Sequence, residues 1–350
     1  MRFTHETLPQ RIVFASGEAQ AGVEAEVDRI GGRRVMVIAA SAEAELARQI
    51  AGNLPVALVH DEVQMHVPIE TAQHARKAAS AHQADIIVTV GGGSTTGLAK
   101  AVALTTGLPI VAVPTTFAGS EATDVWGITE GRTKTTGSDP RVLPRSLVYD
   151  ATLTLSLPTD MAVASGMNAL AHCVDSLWAP RADPVNAALA VEGARALAAG
   201  LRQIVKDPAD LHGREQTLYG AYLAAVAFAS AGSGLHHKIC HVLGGRYNLP
   251  HAQTHAVVLP YVLAFNVPGA PDAEARLATA FGSSTAIEGL HALRDAINAP
   301  RQLRDYGLAE AELPNAVQAI LPVIPPSNPT TATADNIGTL LHAAWEGAPT

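Results

Sequence analysis

The chain has 350 residues, of which 48% are apolar and 16% charged, and carries a formal net charge of −8. That balance excludes a disordered chain, and the length allows two domains of ordinary size with a core each. No run of Lys or Arg is long enough to neutralise a phosphate backbone, which argues against a nucleic-acid partner.

The first half alternates short apolar runs with amphipathic stretches. Strands are expected at Arg11–Phe14, Arg34–Ala39, Val56–Val59, Asp85–Val90, Ile110–Val113 and Leu147–Tyr149, with helices near 17–30, 42–52, 69–83 and 94–106. Continuous apolar strands alternating with helices predict an α/β domain with a parallel, Rossmann-like sheet covered on both faces, and such sheets bind ligands at the carboxyl ends of their strands. From about Ala151 the strand-like runs stop. Helices are expected near 159–179, 183–206, 213–232, 235–243, 271–282, 285–297, 309–321 and 333–346, with Pro158 and Asp183-Pro184 at helix starts. The expected organisation is an α/β dinucleotide-binding domain over 1–153 and an all-α substrate and catalytic domain over 154–350, with a cleft between them. Abundant alanine and only 4% aromatics point to tightly packed helices. Cys173 and Cys240 make no disulfide or zinc pattern, so a reducing cytoplasm is expected. The start of the chain is too polar for a signal peptide, and no apolar run approaches the ~20 residues that span a bilayer, so no membrane partner is expected.

Val90-Gly91-Gly92-Gly93-Ser94 joins an apolar strand to a helix. Backbone N–H groups at such a turn form an anion site suited to a pyrophosphate, and glycine lets the phosphate approach. The turn is neither GxGxxG nor a P-loop, and alone it reads equally well as a tight turn. The next strand ends in Pro114-Thr115-Thr116-Phe117-Ala118-Gly119-Ser120-Glu121, whose hydroxyls suit phosphate or ribose or simply cap a turn. Arg132, Lys134, Arg141 and Arg145 follow; a cofactor or acidic substrate would use them, and a solvated hairpin edge would carry them equally well.

Four of the 14 histidines fall between Gly234 and His251. His237 and His241 are spaced to share a helix face, as are Asn168 and His172 upstream. Gly244-Gly245 is expected to end the helix, with a turn bringing Pro250-His251 back. A single histidine on an apolar helix is ordinarily a satisfied core residue, but this density reads as a pocket that places several imidazoles around one small ligand.

These segments together resemble the iron-containing alcohol dehydrogenase superfamily, which includes glycerol dehydrogenase and is related to dehydroquinate synthase. The resemblance runs over essentially the whole chain and rests on GGGSTTGLAK (91–100), PTTFAGSE (114–121), GMNALAH (166–172) and the histidine cluster ending in LGGRYNLPH. Within the superfamily the chain is most similar to the maleylacetate reductases, on PTTFAGSE, GMNALAHCVDSLW and HHKICHVLGG. The resemblance implies that Gly92, Gly93 and Ser94 hold the pyrophosphate of NADH or NADPH, that Thr115 and Thr116 contact the nicotinamide side, and that Lys134 contacts a ribose. The family's metal ligands, an aspartate and three histidines, fall on Asn168, His172, His237 and His251, and His241 falls beside the nicotinamide. A homodimer is also implied, with Arg11–Phe14 available to pair across a two-fold axis.

Two positions depart from the family pattern. Its metal-ligating aspartate is Asn168 here, and the aspartate of its GGGSxxDxAK motif is Gly97. An amide is a much poorer ligand for a divalent cation than a carboxylate, so no metal is expected, and the loss of negative charge favours a small dicarboxylate substrate. In maleylacetate a ketone is conjugated to a C=C bond. Hydride addition to the alkene carbon beta to the ketone gives an enolate, and protonation of the alpha carbon gives 3-oxoadipate. On this reading His172, His237 and His251, with Asn168, bind substrate carboxylates or the oxyanion, and His241 donates the proton; Lys238 and Arg246 are outer candidates for the carboxylates. The alternatives are a metal-dependent alcohol or polyol dehydrogenase of the same fold, and a lyase-type or non-catalytic nucleotide-binding relative. Cofactor choice is expected to be loose, since Val35–Ala39 leads into Ala40-Ser41-Ala42 without an acid to repel a 2′-phosphate, although Glu43 lies close enough to take that part.

Overall fold

The computed structural model describes residues 2–131 and 133–350. They fall into two compact units, Leu8–Leu157 and Pro158–Thr350, the second including the N-terminal segment through Thr7. The boundary expected at 153/154 lies a few residues before this division. His5 belongs with the helical unit, where its Nδ1 lies 2.8 Å from Asp183 Oδ2.

The first unit is built on β1 (Arg11–Phe14), β2 (Val35–Ile38), β3 (Val56–His60), β4 (Ile86–Gly91), β5 (Ile110–Pro114) and β8 (Ser146–Tyr149). The strands lie in the order β1-β8-β5-β4-β2-β3, and every pairing is parallel. Between them run α1 (Ala19–Ile30), α2 (Ala44–Ala51), α3 (Ile69–Ala81) and α4 (Gly93–Thr106). Successive strand residues point to opposite faces. Val35, Val37, Val88, Val90, Val111 and Val113 pack with Val23 and Val27 of α1 and Ile50 of α2, while the intervening Met36, Ile38 and Ile87 are equally buried. Burial on both faces explains why these strands read as unbroken apolar runs. An antiparallel pair, β6 (Val125–Glu130) and β7 (Thr133–Ser138), is absent from the expected strands, although a hairpin edge is one of the two readings of the basic residues there. The sequence TKTTGS of β7 has no apolar alternation, so its pairing rests on the backbone ladder.

The second unit is helical: α5 (Thr159–Ser176), α6 (Pro184–Lys206), α7 (Leu211–Ala231), α8 (Leu235–Tyr247), α9 (His251–Asn266), α10 (Pro271–Phe281), α11 (Ala286–Ala296), α12 (Leu313–Ile320) and α13 (Ala334–Glu346). Two expectations need correction here. Gly244-Gly245 does not end α8; the helix runs on to Tyr247, and Asn248 supplies the left-handed cap with φ 52°. His251 is not a turn residue but the first residue of α9, a helix hidden in the sequence because its apolar run is interrupted by Pro260. Among the described residues no single helix is long and apolar enough to cross a membrane.

The expected tight packing is clearest between α6 and α7. A Cβ on Gly200 would stand 2.6 Å from the Gly213 carbonyl oxygen, and one on Gly220 would stand 2.9 Å from that of Gly193. Backbone atoms stand in the way as well as the Thr217 and Leu197 side chains, so a side-chain shift alone cannot make room. Gly200→Ala is therefore expected to destabilise the protein by roughly 1–3 kcal/mol, despite alanine's better helix propensity. Urea unfolding checks this; a variant at least as stable as the parent would show that the helices can separate freely.

Candidate active site

In the first unit, the turn after β4 leads directly into the N-terminus of α4. Gly92 is the N-cap of α4 and offers no side chain to cap it, so the first backbone N–H groups of the helix remain available. A Cβ on Gly92 would lie 2.9 Å from Thr116 Cγ2, and one on Gly91, whose φ is 152°, would lie 2.5 Å from Thr95 Oγ1. Glycine is thus required by close approach, and the residues fit the pyrophosphate of a dinucleotide. Ser94 lies in the first turn of α4. Thr115 and Thr116 follow β5, and the segment beyond them is strapped down by fully buried Lys100, whose Nζ donates to Ser120 O (2.6 Å), Thr123 Oγ1 (3.0 Å) and Val125 O (2.8 Å). Burial lowers the Lys100 pKa to about 7.

Glu43 reaches this turn from the end of β2. Its Oε1 accepts a 2.6 Å hydrogen bond from Thr115 Oγ1, and its Oε2 lies 2.7 Å from where a Gly91 Cβ would be. Burial raises its pKa. Gly97, where the family has aspartate, faces Val67: a Cβ there would lie 3.0 Å from Val67 Cγ2. Val67 is left-handed at φ 50°, a strained state for a β-branched residue, and Thr129 holds the loop through Thr129 N to Val67 O (3.0 Å) and Thr129 Oγ1 to His66 O (2.8 Å). The basic residues are less engaged. Lys134 is exposed on β7, Arg141 pairs with Asp139 at 2.7 Å, Arg145 is exposed, and Arg132 lies outside the described residues.

In the second unit, α5, α8 and α9 bring the imidazoles together. Asn168 and His172 are buried one turn apart on α5. The His172 ring stacks on His237 of α8 with centroids 4.9 Å apart, and Phe228 lies 4.8 Å from the first and 4.2 Å from the second. His241, one turn after His237, is exposed and meets it edge-on at 6.0 Å. Gly244 and Gly245 share its helix face and leave open space beside it, with nothing nearer than 3.9 Å to a Cβ on either. His251 is exposed and contacts His255, at 4.4 Å, which in turn lies 4.9 Å from His237. Lys238 is half-buried, and Arg246 is exposed in the last turn of α8.

Two members of this cluster, Asp175 and His255, are not singled out by the sequence, and His236 is read there only as one of the four histidines between Gly234 and His251. Asp175, fully buried on α5, has its Oδ2 2.8 Å from His237 Nδ1. His236 Nε2 and His255 Nδ1 share a 2.9 Å hydrogen bond in the core. The signal for Asp175 and His255 was their spacing, since they follow His172 and His251 by one helical turn. Burial, reinforced by neighbouring imidazoles, pushes the pKa values of His172, His236, His237 and His255 well below the usual histidine value, so the buried cluster is neutral. Asn168 Oδ1, His172 Nδ1 and His237 Nε2 are buried without a hydrogen-bond partner, which marks the place where a polar ligand would be satisfied.

A nucleotide cradle on a parallel sheet and a helical unit carrying a polar histidine pocket define a nicotinamide-dependent oxidoreductase. Residues 9–151 match the iron-containing alcohol dehydrogenase family and residues 162–345 match the family's C-terminal region, and the chain belongs to that family. It is 43% identical to the maleylacetate reductase of Pseudomonas sp. (strain P51), over 100% of this chain and 99% of the relative. Its fold matches the crystal structure of an iron-containing alcohol dehydrogenase from Corynebacterium glutamicum with a TM-score of 0.98 at 58% identity, covering 99% of this chain and 98% of the other. It matches maleylacetate reductase from Rhizobium sp. strain MTP-10005 with a TM-score of 0.94 at 39% identity, covering 100% of both chains.

The family's name implies iron. At its ligand positions stand Asn168, His172, His237 and His251: three imidazoles can hold a divalent cation, while the amide at 168 is a poorer ligand than the family's carboxylate. Among the described residues, the His, Cys, Asp and Glu groups whose donor atoms gather within 4.8 Å are instead His236, Cys240 and His255. In that trio the 2.9 Å hydrogen bond occupies the two imidazole nitrogens that would face an ion.

Glu43 places a carboxylate under an anion site, so Glu43→Gln is expected to tighten NADH binding several-fold, on the order of 1 kcal/mol. Because its pKa is raised, the gain is present at pH 8, where the carboxylate is ionised, and fades toward pH 5 as it protonates. Fluorescence titration of NADH at both pH values checks this. Equal or weaker binding by the variant at pH 8 would mean that Glu43 does not oppose the phosphates.

Proposed function

We propose that the chain is an NAD(P)H-dependent maleylacetate reductase that converts maleylacetate to 3-oxoadipate. The observation that carries this reading is the full-length likeness to maleylacetate reductases, at 40–44% identity across eight relatives. The neutral, carboxylate-poor histidine pocket supports it, because a dianion is repelled less there than in a pocket keeping the family aspartate.

When bound, the reduced nicotinamide supplies the hydride that adds to the alkene carbon beta to the ketone. The remaining work falls to the chain. Electron density moves onto the ketone oxygen, and N–H groups of His172, His251 and the Asn168 amide are suited to stabilise that enolate and the carboxylates. His241 is the proton donor to the alpha carbon, since its exposed position allows it to be recharged from solvent. The chain is also proposed to act as a homodimer in the cytoplasm, with β1, an edge strand paired only to β8, available at the interface; sedimentation tests the dimer.

Loss of NADH absorbance with maleylacetate, run against a panel of aldehydes and ketones, tests the reading. Turnover is expected with maleylacetate and not with the panel; the reverse pattern would reject it. NADPH is expected to serve within about 100-fold of NADH, because the strand end lacks an acid and Glu43 turns to Thr115. In the same assay His241→Asn is expected to lose roughly 10²–10⁴-fold in kcat while still binding cofactor.

A second reading, a metal-dependent alcohol dehydrogenase, is favoured by the 58% identical Corynebacterium structure described as iron-containing. Metal separates the two. An enone needs less Lewis-acid polarisation than an isolated ketone, and the amide at 168 weakens any cation site. Activity is therefore expected to survive exhaustive chelation, and Asn168→Asp is expected to raise metal affinity and weaken maleylacetate binding. Activity abolished by chelation and restored by iron or zinc would put the second reading first. If that metal is lost in Cys240→Ala, the deeper trio is its site.

A further inference from the structure

We propose that Asp175 is the positioning residue of the histidine pocket, acting by fixing His237 in the tautomer that carries its proton on Nδ1. This rests on the reading of that pocket as the substrate site.

Five nitrogens converge on the Asp175 carboxylate. Oδ2 takes Gly234 N at 2.8 Å, His237 N at 3.3 Å and His237 Nδ1 at 2.8 Å. Oδ1 takes His236 N at 3.3 Å and Trp178 Nε1 at 3.2 Å. Four of these are fixed donors, three of them at the N-terminus of α8, where the helix dipole favours an anion. Burial works the other way and raises the carboxyl pKa. With four donors already directed at it, the carboxylate accepts at the fifth contact too, so the hydrogen comes from the imidazole. His237 Nε2 is then left as a lone pair, and it is a buried nitrogen without a partner.

The arrangement is also enforced sterically. Gly234, the N-cap of α8, makes no side-chain cap bond, and a Cβ there would lie 2.3 Å from Asp175 Oδ1. Asp175 therefore caps α8 from α5, and the same carboxylate sets both where the helix begins and how its third residue is turned. The consequence is a division of roles in the pocket. His237 presents an acceptor to whatever binds, while N–H donation to anionic oxygens falls to His172, the Asn168 amide and the exposed His241 and His251. His237 Nε2 is then satisfied by a group that donates a hydrogen, such as a bound water, and not by a carboxylate or enolate oxygen.

Asp175→Asn tests this, because it keeps shape while placing an NH₂ group opposite Nδ1. In ¹⁵N-histidine spectra, with His237 assigned by comparison with His237→Gln, the parent is expected to show Nδ1 protonated and Nε2 bare, and Asp175→Asn the reverse. The variant is expected to lose roughly 10²–10⁴-fold in kcat with maleylacetate, the scale of a misplaced catalytic proton, with NADH affinity unchanged. Nε2 protonated in the parent overturns the proposal, and so does normal turnover in a variant whose tautomer has reversed. The parent spectrum decides the placement even if the variant fails to fold. It also decides it if maleylacetate is not the substrate, since absent turnover in the parent rejects the reaction and leaves the tautomer standing on its own measurement.

Discussion

Asp175 bonds at once to the first turn of α8, to the His237 ring and to Trp178, and the functional end of the helical unit depends on that one buried carboxylate. An unpaired charge there would be costly to bury; surrounded by N–H groups at a helix N-terminus it is stabilised. Because His237 stacks on His172 and lies within 4.9 Å of His255, orienting one ring constrains its neighbours. Packing then passes the constraint to His251 on α9 through its contact with His255.

Around this fixed centre the electrostatics are nearly neutral. The buried imidazoles cannot readily take up a second proton, because burial and mutual repulsion both oppose it. Replacing an aspartate by Asn168 removes the charge that would make the same pocket attract a divalent cation, while keeping a side chain of the same size. What such a pocket holds is set by a few side chains rather than by the fold.

The glycine turn follows a similar logic in the other unit. The N-terminus of α4 has no side-chain cap, and the glycines are required by close approach to Thr95 and Thr116. Glu43 and Val67 modulate that site from outside the motif. One brings a carboxylate beneath the turn, and the other fills the room facing Gly97 at the cost of a left-handed valine of about 1–3 kcal/mol.

The sequence by itself determined the parallel sheet, because strands buried on both faces must be apolar at every position; it placed Gly91–Ser94 between such a strand and a helix but left that turn open between an anion site and a tight turn. It also determined the pairing of His172 with Asn168 and of His241 with His237, since helical spacing fixes which residues share a face. Only the tertiary structure decided the rest. Glycines at 244 and 245 read as a helix end, yet packing along α8 carries the helix past them to Asn248. Pro260 reads as a break, yet α9 runs through it, turning His251 from a loop residue into a helix start. Asp175 and His255 looked like ordinary helix residues until α5, α8 and α9 met, because a buried hydrogen bond is a property of two elements and is written in neither one alone.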